Sequence, residues 1–107
     1  MFTLLVVMRF QSEKAKTAWC ESLKTLGKYV LEHEPNTLQY QFSESVEDPL
    51  VITIFETYTS KTDFEDVHIK SDAFLEHVAR MKPYDDEIKT ESFITGNVVT
   101  DFGYYTK

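Results

Sequence analysis

The side chains best suited to proton chemistry in this sequence are three histidines and a few acids set among aromatic residues. Imidazole is the group whose ordinary pKa puts its charge change nearest neutrality, so each histidine is a candidate acid or base. His68 falls four residues after Phe64, which on a helix places the two rings on one face. Two roles are open to it: a base at a cavity, or a histidine that hydrogen-bonds a neighbouring strand as part of the fold. Glu56, in Glu56-Thr57-Tyr58, is equally open. It either takes part in catalysis or pairs with Arg9 or Arg80, because buried carboxylates are usually paired. His77 reads as a core-edge or surface residue, and His33, in Glu32-His33-Glu34, as a solvated helix end.

Other chemistries find little support. Glu65, His68 and Asp72 would share a face of a continuous helix, but no second histidine is well placed and Cys20 has no partner cysteine, so no metal site is expected. Cys20 reads as a small, partly buried packing residue, and Trp19 as core. The only glycines are Gly27, Gly96 and Gly103, so no phosphate-binding loop exists for a nucleotide cofactor.

The elements that must position these groups follow from the hydrophobic pattern. Phe2 to Phe10 reads as a strand. Ser12 is an N-cap with Glu13 in the first turn, and Ala15, Ala18, Trp19, Ser22, Leu26, Tyr29 and Val30 recur at helical spacing. Pro35 ends this helix. Thr37 to Ser43 alternates as a half-buried strand, Glu44 to Pro49 is a polar turn, and Leu50 to Tyr58 completes a hairpin. Ser60 and Asp63 form a capping-box-like start to a short helix carrying Phe64, Val67 and His68. Ser71 or Asp72 begins a second piece with Phe74, His77, Val78 and Met81, closed by Pro83. Glu91 to Tyr105 is strand-like, with a bulge or kink expected at Gly96-Asn97. The order is βαββαβ, the α+β ferredoxin-like pattern of a four-stranded antiparallel sheet with helices on one face.

Composition narrows the class further. The 107 residues suffice for one domain, and 42% hydrophobic content supports a packed core. A net charge of −7 disfavours nucleic acid and anionic membranes as partners. A basic leader with a small-residue cleavage site is missing and no segment has the length of a membrane span, so a cytoplasmic location is expected. The first strand is apolar on both faces: Phe2, Leu4, Val6, Met8 and Phe10 oppose Leu5 and Val7. Val51 and Phe55 likewise oppose Ile52 and Ile54. Helices cover one face only, so a homodimer through the other sheet face is expected. Val98 to Tyr105 is expected to cross to the partner.

The stretch from Glu32 to Met81 resembles the antibiotic biosynthesis monooxygenase domain. Such domains tend to carry an acidic residue then Pro or Gly after the first helix, here Glu34-Pro35-Asn36. A Tyr-containing strand follows, here Leu38-Gln39-Tyr40, then a strand ending in Glu-x-Tyr or Glu-x-Trp, here Glu56-Thr57-Tyr58. The helical segment then brings an aromatic, a His, a Ser or Thr and a Phe, here Phe64, His68, Ser71 and Phe74. The resemblance implies a dimeric α/β barrel spanning residues 1–107 as a single domain, with a cavity between sheet and helices. It implies oxidation of a quinol or polycyclic phenol by O₂ without metal or flavin, hence no cofactor. His68 would be the base, Glu56 would orient it or accept a proton, and Tyr58 and Tyr40 would donate hydrogen bonds. Trp19, Phe64, Phe74 and His77 would complete the ligand site. Haem-degrading relatives place an Asn on the first strand and a Trp on the later helix; both are absent here, so haem is not implied. A noncatalytic or stress-related dimer binding a small aromatic molecule is the alternative.

Overall fold

The computed structural model describes residues 1–99, 101 and 103. Strand β1 (Phe2–Phe10) leads into helix α1 (Glu13–His33), followed by the hairpin strands β2 (Thr37–Glu44) and β3 (Val51–Tyr58). A π-helical turn (Asp63–His68) and helix α2 (Asp72–Met81) come next. A 3₁₀ segment (Lys82–Glu87) then delivers the chain to strand β4 (Ile88–Asn97). The sheet order is β2-β3-β1-β4, antiparallel throughout, so the ferredoxin-like reading holds.

Local chemistry explains the boundaries. The Ser12 hydroxyl accepts from the Ala15 amide at 3.1 Å, satisfying one of the orphan donors at the start of α1. Glu34 caps the far end, its amide donating to the Val30 carbonyl at 2.9 Å, just before Pro35. Ser60 and Asp63 cap each other reciprocally: the Asp63 carboxylate accepts from the Ser60 amide at 3.0 Å, and the Ser60 hydroxyl accepts from the Asp63 amide at 3.4 Å. Ser71 caps α2 through the Phe74 amide at 3.1 Å.

The inner face of the sheet and the apolar stripe of α1 make the core. Phe2, Leu4, Val6 and Phe10 from β1 pack with Ile52, Ile54 and Tyr58 from β3 and with Ala15, Trp19, Leu23, Leu26 and Val30 from α1. Leu23, absent from the expected stripe, is buried, whereas Ala18 and Tyr29 are only half-buried. The outer face carries Leu5 beside Phe55 and Ile94, with Val7 next along β1. Phe55 is 36% exposed and Ile94 58% exposed, so this face keeps an apolar patch open on the single chain.

The last strand differs from the sequence expectation. It begins at Ile88 rather than Glu91 and ends at Asn97. The expected irregularity at Gly96-Asn97 is absent, since Gly96 pairs with Thr3 and Asn97 with Phe2 in regular register. The bulge lies instead opposite Val7 and Met8, which pair with Ser92 and Thr90 and leave Glu91 as the extra residue. Glu91 turns outward there and binds the Arg9 guanidinium. The expected crossing of Val98 to Tyr105 rests largely on residues outside those described.

Candidate active site

A cavity of about 410 Å³ lies between the inner sheet face and the helices. That volume falls within the ordinary range of small-molecule sites. Leu4, Val6 and Met8 of β1 form its floor, with Ile54 and Glu56 of β3 and Tyr40 and Phe42 of β2 beside them. Trp19, Leu23 and Leu26 of α1 form one wall, and Phe64, His68, Phe74 and His77 form the roof. Trp19 is fixed between the rings of Phe10 (5.3 Å) and Phe42 (5.8 Å, edge-on). Apart from a few polar side chains the lining is hydrocarbon.

His68 reaches the cavity because of the π-helical turn. The Ile69 amide donates to the Phe64 carbonyl five residues back (3.1 Å), and the widened turn carries the imidazole inward while Val67 stays at the surface. His68 is 1% exposed and packed by the rings of Tyr40, Tyr58, Phe64 and Phe74. Its Nδ1 lies 2.9 Å from Oε1 of Glu34, which is itself buried at the C-cap of α1. The Thr37 hydroxyl donates to the same oxygen at 2.9 Å. A carboxylate only accepts, so the imidazole proton belongs on Nδ1. Nε2 is then left with its lone pair, 3.9 Å from Oε1 of Glu56. Burial lowers the pKa of His68, and the Glu34 carboxylate opposes that shift without overcoming it.

Glu56 does not meet either arginine. Arg9 lies on the outer sheet face and binds Asp48 and Glu91, while Arg80 turns toward α1. Glu56 points inward, opposite Leu4, and accepts a short hydrogen bond from the Tyr58 hydroxyl. Burial pushes its carboxyl up to about 7, the Glu34 charge adds to the rise, and the Tyr58 hydrogen bond works against it. The phenols of Tyr40 and Tyr58 are raised by burial and by the nearby Glu56 charge, so both stay protonated, and of the two Tyr58 donates, to Glu56.

At another part of the roof, His77 is bound differently. Its Nδ1 lies 2.7 Å from the Ser22 hydroxyl, and that hydroxyl accepts from Nε of Arg80 at 2.7 Å. Burial pushes the His77 pKa down to about 4, with repulsion from Arg80 and His68 adding to it. The Ser22 side chain thus ties α1 to α2.

Of the residues singled out in the sequence, His68, Glu56, Trp19, Tyr40, Phe64, Phe74 and His77 all line the cavity. Tyr58 lies behind it, fully buried, and reaches the site through Glu56. Sequence reasoning missed Glu34 as the partner of His68, although its place before Pro35 marked it, and missed the Ser22–His77–Arg80 link. Among the described residues no group of three or more His, Cys, Asp or Glu side chains is arranged to hold a metal ion. No helix among them is long and apolar enough to cross a membrane.

An α+β domain with a ferredoxin-like sheet and an aromatic cavity holding a carboxylate-bound histidine defines the class of protein. Residues 1–80 match the family model described as antibiotic biosynthesis monooxygenase, and the chain belongs to that family. Solved structures show the same fold. A candidate antibiotic biosynthesis monooxygenase of Nitrosomonas europaea superposes with a TM-score of 0.76 at 16% identity, covering 94% of this chain and 100% of the other. One from Caulobacter crescentus gives 0.76 at 20% identity, covering 92% and 91%. A conserved protein of unknown function from Bacteroides thetaiotaomicron gives 0.72 at 21% identity, covering 89% and 94%. No curated protein matches the sequence.

Proposed function

We propose that the protein oxidises a quinol or polycyclic phenol with O₂ in this cavity, without metal or flavin, the substrate itself being the reductant. One observation carries the reading: His68, held by Glu34 at Nδ1, presents its unprotonated Nε2 among aromatic walls. Nε2 takes the phenolic proton, and the Glu34 carboxylate steadies the imidazolium that forms. The electron-rich anion passes an electron to O₂, and recombination forms a carbon–oxygen bond. The peroxide so made takes the proton back from His68. Loss of water, with the ring hydrogen, leaves a quinone, so phenol and O₂ become quinone and water.

The same reading includes a homodimer. The apolar patch of Leu5, Val7, Phe55 and Ile94 would meet its own copy about a twofold axis. Phe55→Asp is expected to give a folded monomer in sedimentation, and a monomeric wild type would overturn the pairing.

Oxygen uptake with a panel of quinols and polycyclic phenols tests the chemistry. Uptake that falls roughly 10²–10⁴-fold in His68→Ala supports a base at this position. A folded protein that consumes no oxygen across the panel supports instead a noncatalytic binder of the same ligands.

A further inference from the structure

We propose that the cavity selects phenols that also carry a conjugated ketone, and that His77 donates a hydrogen bond from Nε2–H to that carbonyl oxygen. The argument is one of hydrogen-bond direction. Arg80 has only donors, so its Nε–H must point at the Ser22 oxygen, 2.7 Å away. Its second nitrogen donates to the Ser22 carbonyl at 3.2 Å, which fixes the guanidinium in place. Ser22 has a single proton and, among the described residues, Nδ1 of His77 at 2.7 Å is the only acceptor within its reach, so a hydroxyl that already accepts from Arg80 donates there. His77 therefore accepts at Nδ1 and carries its hydrogen on Nε2. Among the described residues no group bonds Nε2, while the His77 ring forms part of the cavity wall. Phe74 stands between the two histidines, its ring 5.2 Å from His68 and 6.3 Å from His77. One flat ligand passing beneath Phe74 meets an acceptor at one end and a donor at the other.

The pairing has a chemical consequence that rests on the phenol reading above. When His68 removes the phenolic proton, the charge spreads through the conjugated rings onto the ketone oxygen. A donor already aimed at that oxygen stabilises the anion more than the neutral phenol. Ser22 and Arg80 act through His77 and are positioning residues.

The test compares binding of 2-hydroxy-9-fluorenone and 2-hydroxyfluorene, which share a tricyclic shape and differ in the ketone. Trp19, the only tryptophan, lies in the cavity wall and reports binding by fluorescence without any turnover. Wild type is expected to favour the ketone about tenfold, the scale of a single well-placed hydrogen bond. His77→Leu should bind both equally, and His77→Gln should restore part of the preference. Equal binding of the two by wild type, or a preference undiminished in His77→Leu, overturns the proposal. Long-range ¹H–¹⁵N correlation spectra add a readout that needs no variant: His77 should be protonated at Nε2 in wild type and lose that uniform state in Ser22→Ala. Protonation at Nδ1 in wild type also overturns it. Oxygen uptake is separate from both measurements. Ketone preference without uptake leaves the recognition standing and removes the oxidation, whereas uptake without preference does the reverse.

Discussion

The cavity has two buried histidines, and their partners make them opposites. His68 gives its Nδ1 proton to a carboxylate, Glu34, and turns a lone pair inward. His77 takes a proton at Nδ1 from a hydroxyl, Ser22, and turns an N–H inward. Burial holds both neutral, lowering each pKa, yet one can accept a proton from a ligand and the other can only donate a hydrogen bond. The residue type is the same, so the difference in chemistry resides in what lies behind each ring. A catalytic role therefore has to be argued from the second nitrogen's partner as much as from the imidazole itself.

The largest effect is expected where the comparison is broken at Glu34. Glu34→Ala removes the acceptor that fixes the His68 tautomer, so its loss of oxygen uptake should approach the roughly 10²–10⁴-fold attributed to a positioned base. Glu34→Gln keeps an amide oxygen for Nδ1–H but loses the charge that steadies the imidazolium, so its rate should fall between those of Glu34→Ala and wild type. Equal rates in Glu34→Ala and wild type would show that His68 needs no orienting partner.

The pH dependence of stability separates the groups in sign. His77 ordinarily titrates near 6.5 and falls to about 4 in the fold. Between those values the unfolded chain binds more protons, so the stability linked to His77 is complete above 6.5 and is lost as pH drops toward 4. Glu56 runs the other way, from 4.5 to about 7. Its contribution is complete below 4.5 and is lost as pH rises through 7. Urea denaturation across this window should therefore show Glu56→Gln making stability rise more steeply with pH. His77→Gln should make it rise less steeply. Shifts of the same sign in both variants would contradict the burial argument for one of them.

A smaller effect is expected at Ser22. Ser22→Ala leaves His77 Nδ1 without its donor, at a cost of about 1–3 kcal/mol in denaturant unfolding. Arg80 is exposed and recovers water, which places the result toward the low end. Smallest is Gly27→Ala, remote from both rings. A methyl group there meets no atom within 4 Å, so the helix should gain about 0.5–1 kcal/mol with oxygen uptake unchanged.

The sequence announced much of this architecture because its signals are local. Ser12, Ser60, Asp63 and Ser71 marked helix starts through caps spanning three residues, and the alternation in β1 and β3 assigned each side chain a face. The aromatic lining was legible for the same reason. The partners of the histidines were not. Glu34 and His68 lie 34 positions apart, and Ser22 and His77 lie 55 apart, joined only once both helices pack on the sheet. The π-helical turn adds a residue that no periodicity signals, and it decides that His68 points inward. The bulge at Glu91 escaped notice because Lys89, Thr90, Glu91 and Ser92 are all polar and offer no break in pattern.

The measurement that tests the central claim most directly is an anaerobic absorbance titration of 2-hydroxy-9-fluorenone bound at neutral pH. Without oxygen the reaction stops at proton transfer, and the ionised ring absorbs at longer wavelength than the neutral phenol. Wild type should show an absorbance band of the bound anion that His68→Ala lacks. An identical spectrum for the ligand bound to both proteins would contradict His68 as the base.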